Sequence, residues 1–126
     1  MARSRGELDS AEAAICSLGC AARACVLDIS DLPALQQLFD RWPAFHIVVN
    51  NAGTNRPKPM TEVTEADYDA VLDLNLKSAF FVAQSAVRRM VVQRIAGSLI
   101  HIGSQMGHVA GVNRSLYCTS KWGLRA

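Results

Sequence analysis

Three short, nearly continuous apolar runs constrain the fold of this chain more than any other feature. They are ACVLDI at 24–29, HIVVNN at 46–51 and SLIHIGS at 98–104. Strands buried on both faces of a parallel sheet have continuous apolar runs, whereas half-exposed strands alternate apolar and polar residues. Amphipathic segments separate the three runs. The sequence therefore predicts an α/β domain in which helices connect the strands of a parallel sheet.

The segments between these runs predict helices. Residues 6–18 form the first, and Ser30 is expected to cap a second through LPALQQLFDR that ends near Pro43. Thr64 followed three residues later by Asp67 resembles a capping box and begins a long third helix, around residues 65–95. That helix has more apolar surface than one stripe. We expect one face on the sheet and the other on a partner helix, as in a homo-oligomer.

Composition narrows the classes of partner and location. Half of the 126 residues are apolar and the net charge is +2, with no basic stripe carrying aromatic residues, so neither nucleic acid nor a membrane surface is indicated. Charged residues follow Met1 in place of a signal-peptide core, and the predicted location is cytoplasmic. The four cysteines and three histidines lack metal-ligand spacing, which predicts reduced packing cysteines and no metal site.

Each predicted strand finishes in polar residues. These are Asp28, then Asn50 and Asn51, then Ser104. In open α/β sheets ligands bind outside the carboxyl ends of the strands, so these side chains would face one crevice. Taken singly, each is also compatible with the start of an ordinary turn.

Two further features are unusual in helices. Asn75 lies inside DAVLDLNLKSAFF although Asn is a weak helix former. Its ordinary interpretation is a solvent-facing residue or a helix kink. Tyr117 and Lys121 are four residues apart, which places both on one face of a helix. Alone, that pair also occurs by chance.

Together these residues resemble the short-chain dehydrogenase/reductase family over nearly the whole chain. The matching features are NNAG at 50–53, the Asn in DLNL, a Ser thirteen residues before the Tyr, and the Tyr–Lys pair, in the order found in the family. The resemblance implies an NAD(P)-dependent oxidoreductase that interconverts a small alcohol and a ketone.

The resemblance also implies roles for four catalytic residues. Tyr117 would be the general acid or base on the substrate oxygen, and Lys121 would favour the phenolate and hydrogen-bond the nicotinamide ribose. Ser104 would donate a hydrogen bond to the same substrate oxygen. Asn75 would hold a water that connects Lys121 to solvent.

Further residues match positions that bind the cofactor in the family. Asp28 would hydrogen-bond the adenine ring, and Asn50, Ala52 and Gly53 would lie along the adenosine half. Arg3 falls near the expected adenosine ribose, where a guanidinium favours the 2′-phosphate, so NADP is slightly preferred over NAD.

The sequence departs from the family at both ends. None of its eight glycines forms the Gly-rich turn TGxxxGxG that holds the pyrophosphate, and the first two strands and the C-terminal strands are expected to be missing. Residues 1–126 are therefore predicted to form a single incomplete NAD(P)-binding Rossmann-type domain, with a partial doubly wound parallel sheet.

The alternative to an oxidoreductase is a noncatalytic fragment that binds a partner through the helix around residues 65–95. In the loop at 105–114, His108, Asn113 and Arg114 are either substrate contacts or ordinary loop residues.

Overall fold

A computed structural model of the chain describes residues 4–125. Helices and strands alternate along these residues, which confirms the α/β class. In chain order they are α1 (Arg5–Ser17), α2 (Leu32–Arg41), β1 (Ile47–Asn50), α3 (Glu65–Leu72), α4 (Ala79–Gln93), β2 (Ser98–His101) and α5 (Ser115–Gly123). A π-helical segment, Asp73–Ser78, joins α3 to α4, and short 3-10 helices cover Met60–Glu62 and Gln105–Gly107.

The sheet has two parallel strands within the described residues. Ile47 lies opposite Ser98, and Asn50 lies opposite His101. The strands predicted at 46–51 and 98–104 and their parallel pairing are confirmed. The strand predicted at 24–29 is wrong, because only an isolated bridge at Val26 forms there. No strand of residues 4–125 pairs with this segment in a ladder.

The hydrophobic core lies on one face of β1. Leu35 and Phe39 of α2 and Val82 of α4 pack there against Val48, and each is nearly inaccessible to solvent. Burying side chains of this size contributes about 1.5–3 kcal/mol each. The opposite sheet face is open within the described residues, since Ile47 and Val49 keep 63% and 54% of their surface exposed. The continuous apolar runs had predicted cover on both faces.

The first two helices differ in how firmly they are attached. Helix α1 matches the helix predicted at 6–18 within a residue but buries none of its side chains. Helix α2 is capped by Asp31, whose carboxylate accepts a hydrogen bond from the Ala34 N–H at 3.0 Å. The predicted cap, Ser30, is wrong because its hydroxyl donates instead to Asp28 at 2.7 Å. Cys16 and Cys20 are exposed free thiols and do not pack as predicted.

The long helical region begins as the sequence predicts. The Thr64 hydroxyl accepts a hydrogen bond from the Asp67 N–H at 3.2 Å, and the Asp67 carboxylate accepts one from the Thr64 N–H. The predicted capping box is therefore confirmed. The helix is interrupted, however, at Asp73–Ser78, where the Ser78 hydroxyl donates to the Asp73 carbonyl at 2.6 Å. Such π-helical turns are frequently found at functional sites.

Helix α4 has two apolar faces, as predicted. Val82, Ala86 and Met90 lie in the core, whereas Phe80 and Val91 keep 62% and 70% of their surface exposed. The exposed face therefore has no cover from residues 4–125.

Candidate active site

Two adjoining clefts open at the carboxyl ends of β1 and β2. One cleft, of about 470 Å³, is lined by Ser104, Tyr117 and Lys121 among others and is named the catalytic cleft because the sequence predicts these three as catalytic residues. The second cleft, about 450 Å³, is lined among others by Asp28, Asn50 and Ala52. Gly53 lines both clefts. The structure thus brings the residues predicted from strand ends and from the Tyr–Lys pair to one edge of the sheet.

The Tyr117–Lys121 pair lies on one face of α5, as the spacing predicts. The Lys121 ammonium is 5.8 Å from the centre of the Tyr117 ring and donates to the Ile102 carbonyl at 2.7 Å. Lys121 keeps only 5% of its surface exposed. A buried ammonium is costly without compensation. Within residues 4–125 Lys121 donates to one carbonyl, which leaves it able to attract a further acceptor or negative charge.

Asn75 lies behind this cleft and is not part of its lining. It is almost fully buried in the π-helical segment. Its Oδ1 accepts from the Thr54 N–H at 2.7 Å, and its Nδ2 donates to the Thr54 carbonyl at 2.9 Å and to Ser120 Oγ at 3.0 Å. Both carboxamide N–H groups are therefore occupied, and the side chain clamps the segment after β1 to α5.

Ser104 stands at the end of the segment that follows β2. Its Oγ accepts from the Met106 N–H at 3.1 Å and so caps the short helix Gln105–Gly107. Within residues 4–125 the Ser104 hydroxyl hydrogen has no acceptor, and it can point into the catalytic cleft. This leaves Ser104 able to donate a hydrogen bond to a bound oxygen.

The residues of the second cleft are themselves well anchored. Asp28 Oδ1 accepts from both the N–H and the hydroxyl of Ser30, at 3.0 and 2.7 Å. Asn50 Nδ2 donates to the Ala79 carbonyl at 2.9 Å, which ties β1 to the start of α4. At Gly53 an added Cβ would lie 3.3 Å from Asn75 Oδ1, so glycine allows the backbone to approach closely there. Arg3, the predicted ribose contact, lies outside the described residues.

Sequence reasoning missed the residues that hold the wall of the catalytic cleft. Asp67 accepts hydrogen bonds from Lys58 at 2.7 Å and Arg56 at 3.1 Å. The Lys58 ammonium, followed by the Thr64 hydroxyl, holds the pKa of Asp67 well below its usual range. The loop at 54–58 carries Thr54 of the cleft and is thereby fastened to the start of α3. Its basic residues gave no signal in sequence, because Asp67 was already explained as a helix cap.

Ser120 was also missed. It is fully buried, accepts from Asn75 and donates to the Tyr117 carbonyl at 2.8 Å. It therefore links the Asn75 clamp to the helix that bears the Tyr–Lys pair. A small polar residue in a helix carries no pattern that would have singled it out.

No three His, Cys, Asp or Glu side chains among residues 4–125 come together to hold a metal ion. Nor does any helix there combine the length and apolar character that a bilayer crossing requires.

These features define an α/β protein with adjoining clefts at the carboxyl edge of a parallel sheet, as in dinucleotide-binding folds. The chain belongs to the short chain dehydrogenase family, whose profile matches residues 1–126. The resemblance found in the sequence is thereby confirmed.

Two curated relatives and one solved structure illustrate the family. Sorbitol dehydrogenase of Cereibacter sphaeroides is 31% identical over 90% of this chain and 46% of its own length. The 2-dehydro-3-deoxy-D-gluconate 5-dehydrogenase of Escherichia coli is 35% identical over 77% of this chain and 40% of its own. A gluconate 5-dehydrogenase from Burkholderia cenocepacia, in complex with NADP and tartrate, superposes with a TM-score of 0.88 at 28% identity, over 98% of this chain and 49% of that one. The chain spans about half the length of the relatives it matches.

Proposed function

We propose that this chain provides the catalytic half of an NAD(P)-dependent oxidoreductase that interconverts an alcohol and a ketone. One observation carries the proposal. The buried Lys121 ammonium lies 5.8 Å from the Tyr117 ring in a cleft that also contains Ser104. A cation held beside a phenol, with a free hydroxyl donor in the same cleft, suits proton transfer to or from a substrate oxygen.

The proposed roles follow from the positions of these groups. The Tyr117 Oη takes the proton from an alcohol or returns it to a ketone, and the Lys121 ammonium lies beside the Tyr117 ring. Ser104 donates to the same oxygen and orients it. Asn75 holds the backbone after β1 and, through Ser120, the helix of Tyr117 in register. The nicotinamide, when bound, supplies or accepts the hydride.

We assign the two clefts to the two ends of a nicotinamide dinucleotide. Asp28, Asn50 and Ala52 lie in the cleft that we assign to adenosine, and Gly53 lies where the two clefts meet. Lys121, in the catalytic cleft, can hydrogen-bond the nicotinamide ribose. NADP is preferred over NAD on the position of Arg3 in the sequence, and a related gluconate 5-dehydrogenase was solved with NADP. The four free cysteines suit a reducing location such as the cytoplasm.

The exposed face of α4 supports a second role, in assembly. Phe80 and Val91 are largely exposed and Val87 is 43% exposed on a helix whose other face is fully buried. Apolar surface of this kind marks interaction sites. We propose that this face joins two copies of the chain. In a noncatalytic fragment the same face would be the binding surface.

The catalytic proposal is tested by replacing Tyr117 with Phe. Absorbance at the reduced nicotinamide band measures turnover of sorbitol or D-gluconate with NADP+ and NAD+. Loss of the phenol oxygen should lower turnover by about 10²- to 10⁴-fold. The matched control is Tyr68→Phe, since Tyr68 is half-exposed on α3 and does not line the catalytic cleft. Equal activity in the two variants, or no turnover by the wild-type chain, would refute the proposal.

A further inference from the structure

Arg114 is the second cation of the catalytic cleft. It lies immediately before α5, three residues from Tyr117, and is partly buried. The cleft is lined by both Arg114 and Tyr117. Of the three loop residues singled out in the sequence, His108 and Asn113 do not line the cleft. Asn113 instead serves the loop, since its φ is 57° and its carbonyl accepts from the Lys58 N–H at 3.0 Å.

The Arg114 side chain has a defined setting in the catalytic cleft. A Cβ on Gly111 would lie 3.2 Å from Arg114 Cδ and 2.8 Å from Met106 Sδ, so the glycine makes room for both side chains. Within the part of the chain that the structure describes, no carboxylate or hydrogen-bond acceptor pairs with the Arg114 guanidinium.

The charged side chains of residues 4–125 that line the catalytic cleft are all cationic. Arg114 and Lys121 line it, and no Asp or Glu among residues 4–125 does so. Lys121 donates to the Ile102 carbonyl and is assigned above to the nicotinamide ribose. The five N–H donors of Arg114 therefore remain for an anion, and a planar guanidinium matches a carboxylate in two-point geometry.

We infer that Arg114 binds the carboxylate of the substrate, and that the preferred substrates are polyhydroxy acids rather than neutral polyols. This inference rests on the proposed function, because it places the reacting hydroxyl at Tyr117 and the acid group at Arg114 of the same cleft. It also assigns a substrate class to this chain, whose relatives include a sorbitol dehydrogenase and a 2-dehydro-3-deoxy-D-gluconate 5-dehydrogenase.

The test compares two probes that differ at a single carbon. D-gluconate carries a carboxylate at C1 where D-sorbitol carries a neutral CH₂OH. Isothermal titration of each into the full chain with NADPH measures binding without turnover, because the reduced cofactor cannot accept a hydride from either probe. The wild-type chain should bind gluconate about 10- to 100-fold more tightly than sorbitol, the range expected for charge-assisted hydrogen bonds.

Variants of Arg114 locate the selectivity. Arg114→Gln should weaken gluconate binding to the level of sorbitol and change sorbitol binding by less than about twofold. Arg114→Lys should give an intermediate value, since an ammonium keeps the charge but loses the two-point geometry. Arg88→Gln removes the same charge from an exposed site on α4 and should leave selectivity unchanged. Circular dichroism checks that each variant is folded.

The outcomes separate this inference from the proposed function. Equal affinity of the wild-type chain for the two probes, including binding of neither, overturns the assignment of Arg114. The assignment is also overturned if Arg88→Gln loses as much selectivity for gluconate as Arg114→Gln does. Selective gluconate binding without NADP+ reduction supports the carboxylate site and refutes the oxidoreductase. Turnover with no preference for the acid supports the oxidoreductase and refutes the carboxylate site.

Discussion

Removing the carboxamide of Asn75 should destabilise the chain strongly, although the residue does not line the catalytic cleft. Asn75 is 1% exposed and makes three hydrogen bonds to Thr54 and Ser120, at 2.7, 2.9 and 3.0 Å. Each such bond contributes about 1 kcal/mol net, and Ser120, which would lose the Asn75 donor, is fully buried. Asn75→Ala should therefore cost about 3 kcal/mol of unfolding free energy, a large share of the 5–15 kcal/mol of a typical domain.

Urea unfolding followed by circular dichroism measures this cost. The matched control is Lys77→Ala in the same π-helical segment, whose side chain is half-exposed and pairs with Asp73 at the surface. The control should change stability by less than about 0.5 kcal/mol. Asn75→Asp is also informative, since a carboxylate can still accept from the Thr54 N–H but cannot donate to its carbonyl. A loss below about 1 kcal/mol in Asn75→Ala would refute the clamp.

The remaining predictions concern the loop anchor, the meeting point of the clefts and the exposed helix face. Hydrogen bonds from Lys58 lower the pKa of Asp67 in the folded chain. The Asp67 carboxylate therefore stabilises the fold above its unfolded pKa of about 3.9, and this stabilisation is lost as the pH falls below that pKa. Thermal unfolding measured in steps of about one pH unit between pH 3 and 7 should show that Asp67→Asn loses less stability on acidification than the wild-type chain does. Gly53→Ala should weaken NADPH binding, measured by fluorescence titration, since the methyl would crowd Asn75 Oδ1 at 3.3 Å. Phe80→Ser should convert a dimer to a monomer in light scattering, and an unchanged mass would exclude α4 as the interface.

The strongest local signals in the sequence gave correct structure. The continuous runs at 46–51 and 98–104 became parallel strands, and the Thr64–Asp67 capping box begins α3. These signals succeed because hydrophobic periodicity and capping depend on residues close in sequence. The run at 24–29 failed because a strand also needs a neighbour for its backbone hydrogen bonds, which its own residues do not encode.

The site was partly readable for a similar reason. Tyr117 and Lys121 share a helix face, so their spacing alone placed them together. The contacts of Asn75 with Thr54 and Ser120 join residues far apart in sequence, partly through backbone atoms that look alike at every position. The sequence marked Asn75 as unusual in a helix, but the π-helical turn and the clamp became visible only in the structure.

Equilibrium binding of NADPH to the wild-type chain tests the central claim most directly. The adjoining clefts should bind the cofactor saturably, and the thermal midpoint should rise with its concentration, by about 2.7 kcal/mol of stability at one hundred times the dissociation constant. Lys121→Met should weaken that binding. Absence of saturable binding, with an unfolding transition that the cofactor does not shift, would contradict the oxidoreductase and favour a noncatalytic chain that acts through α4.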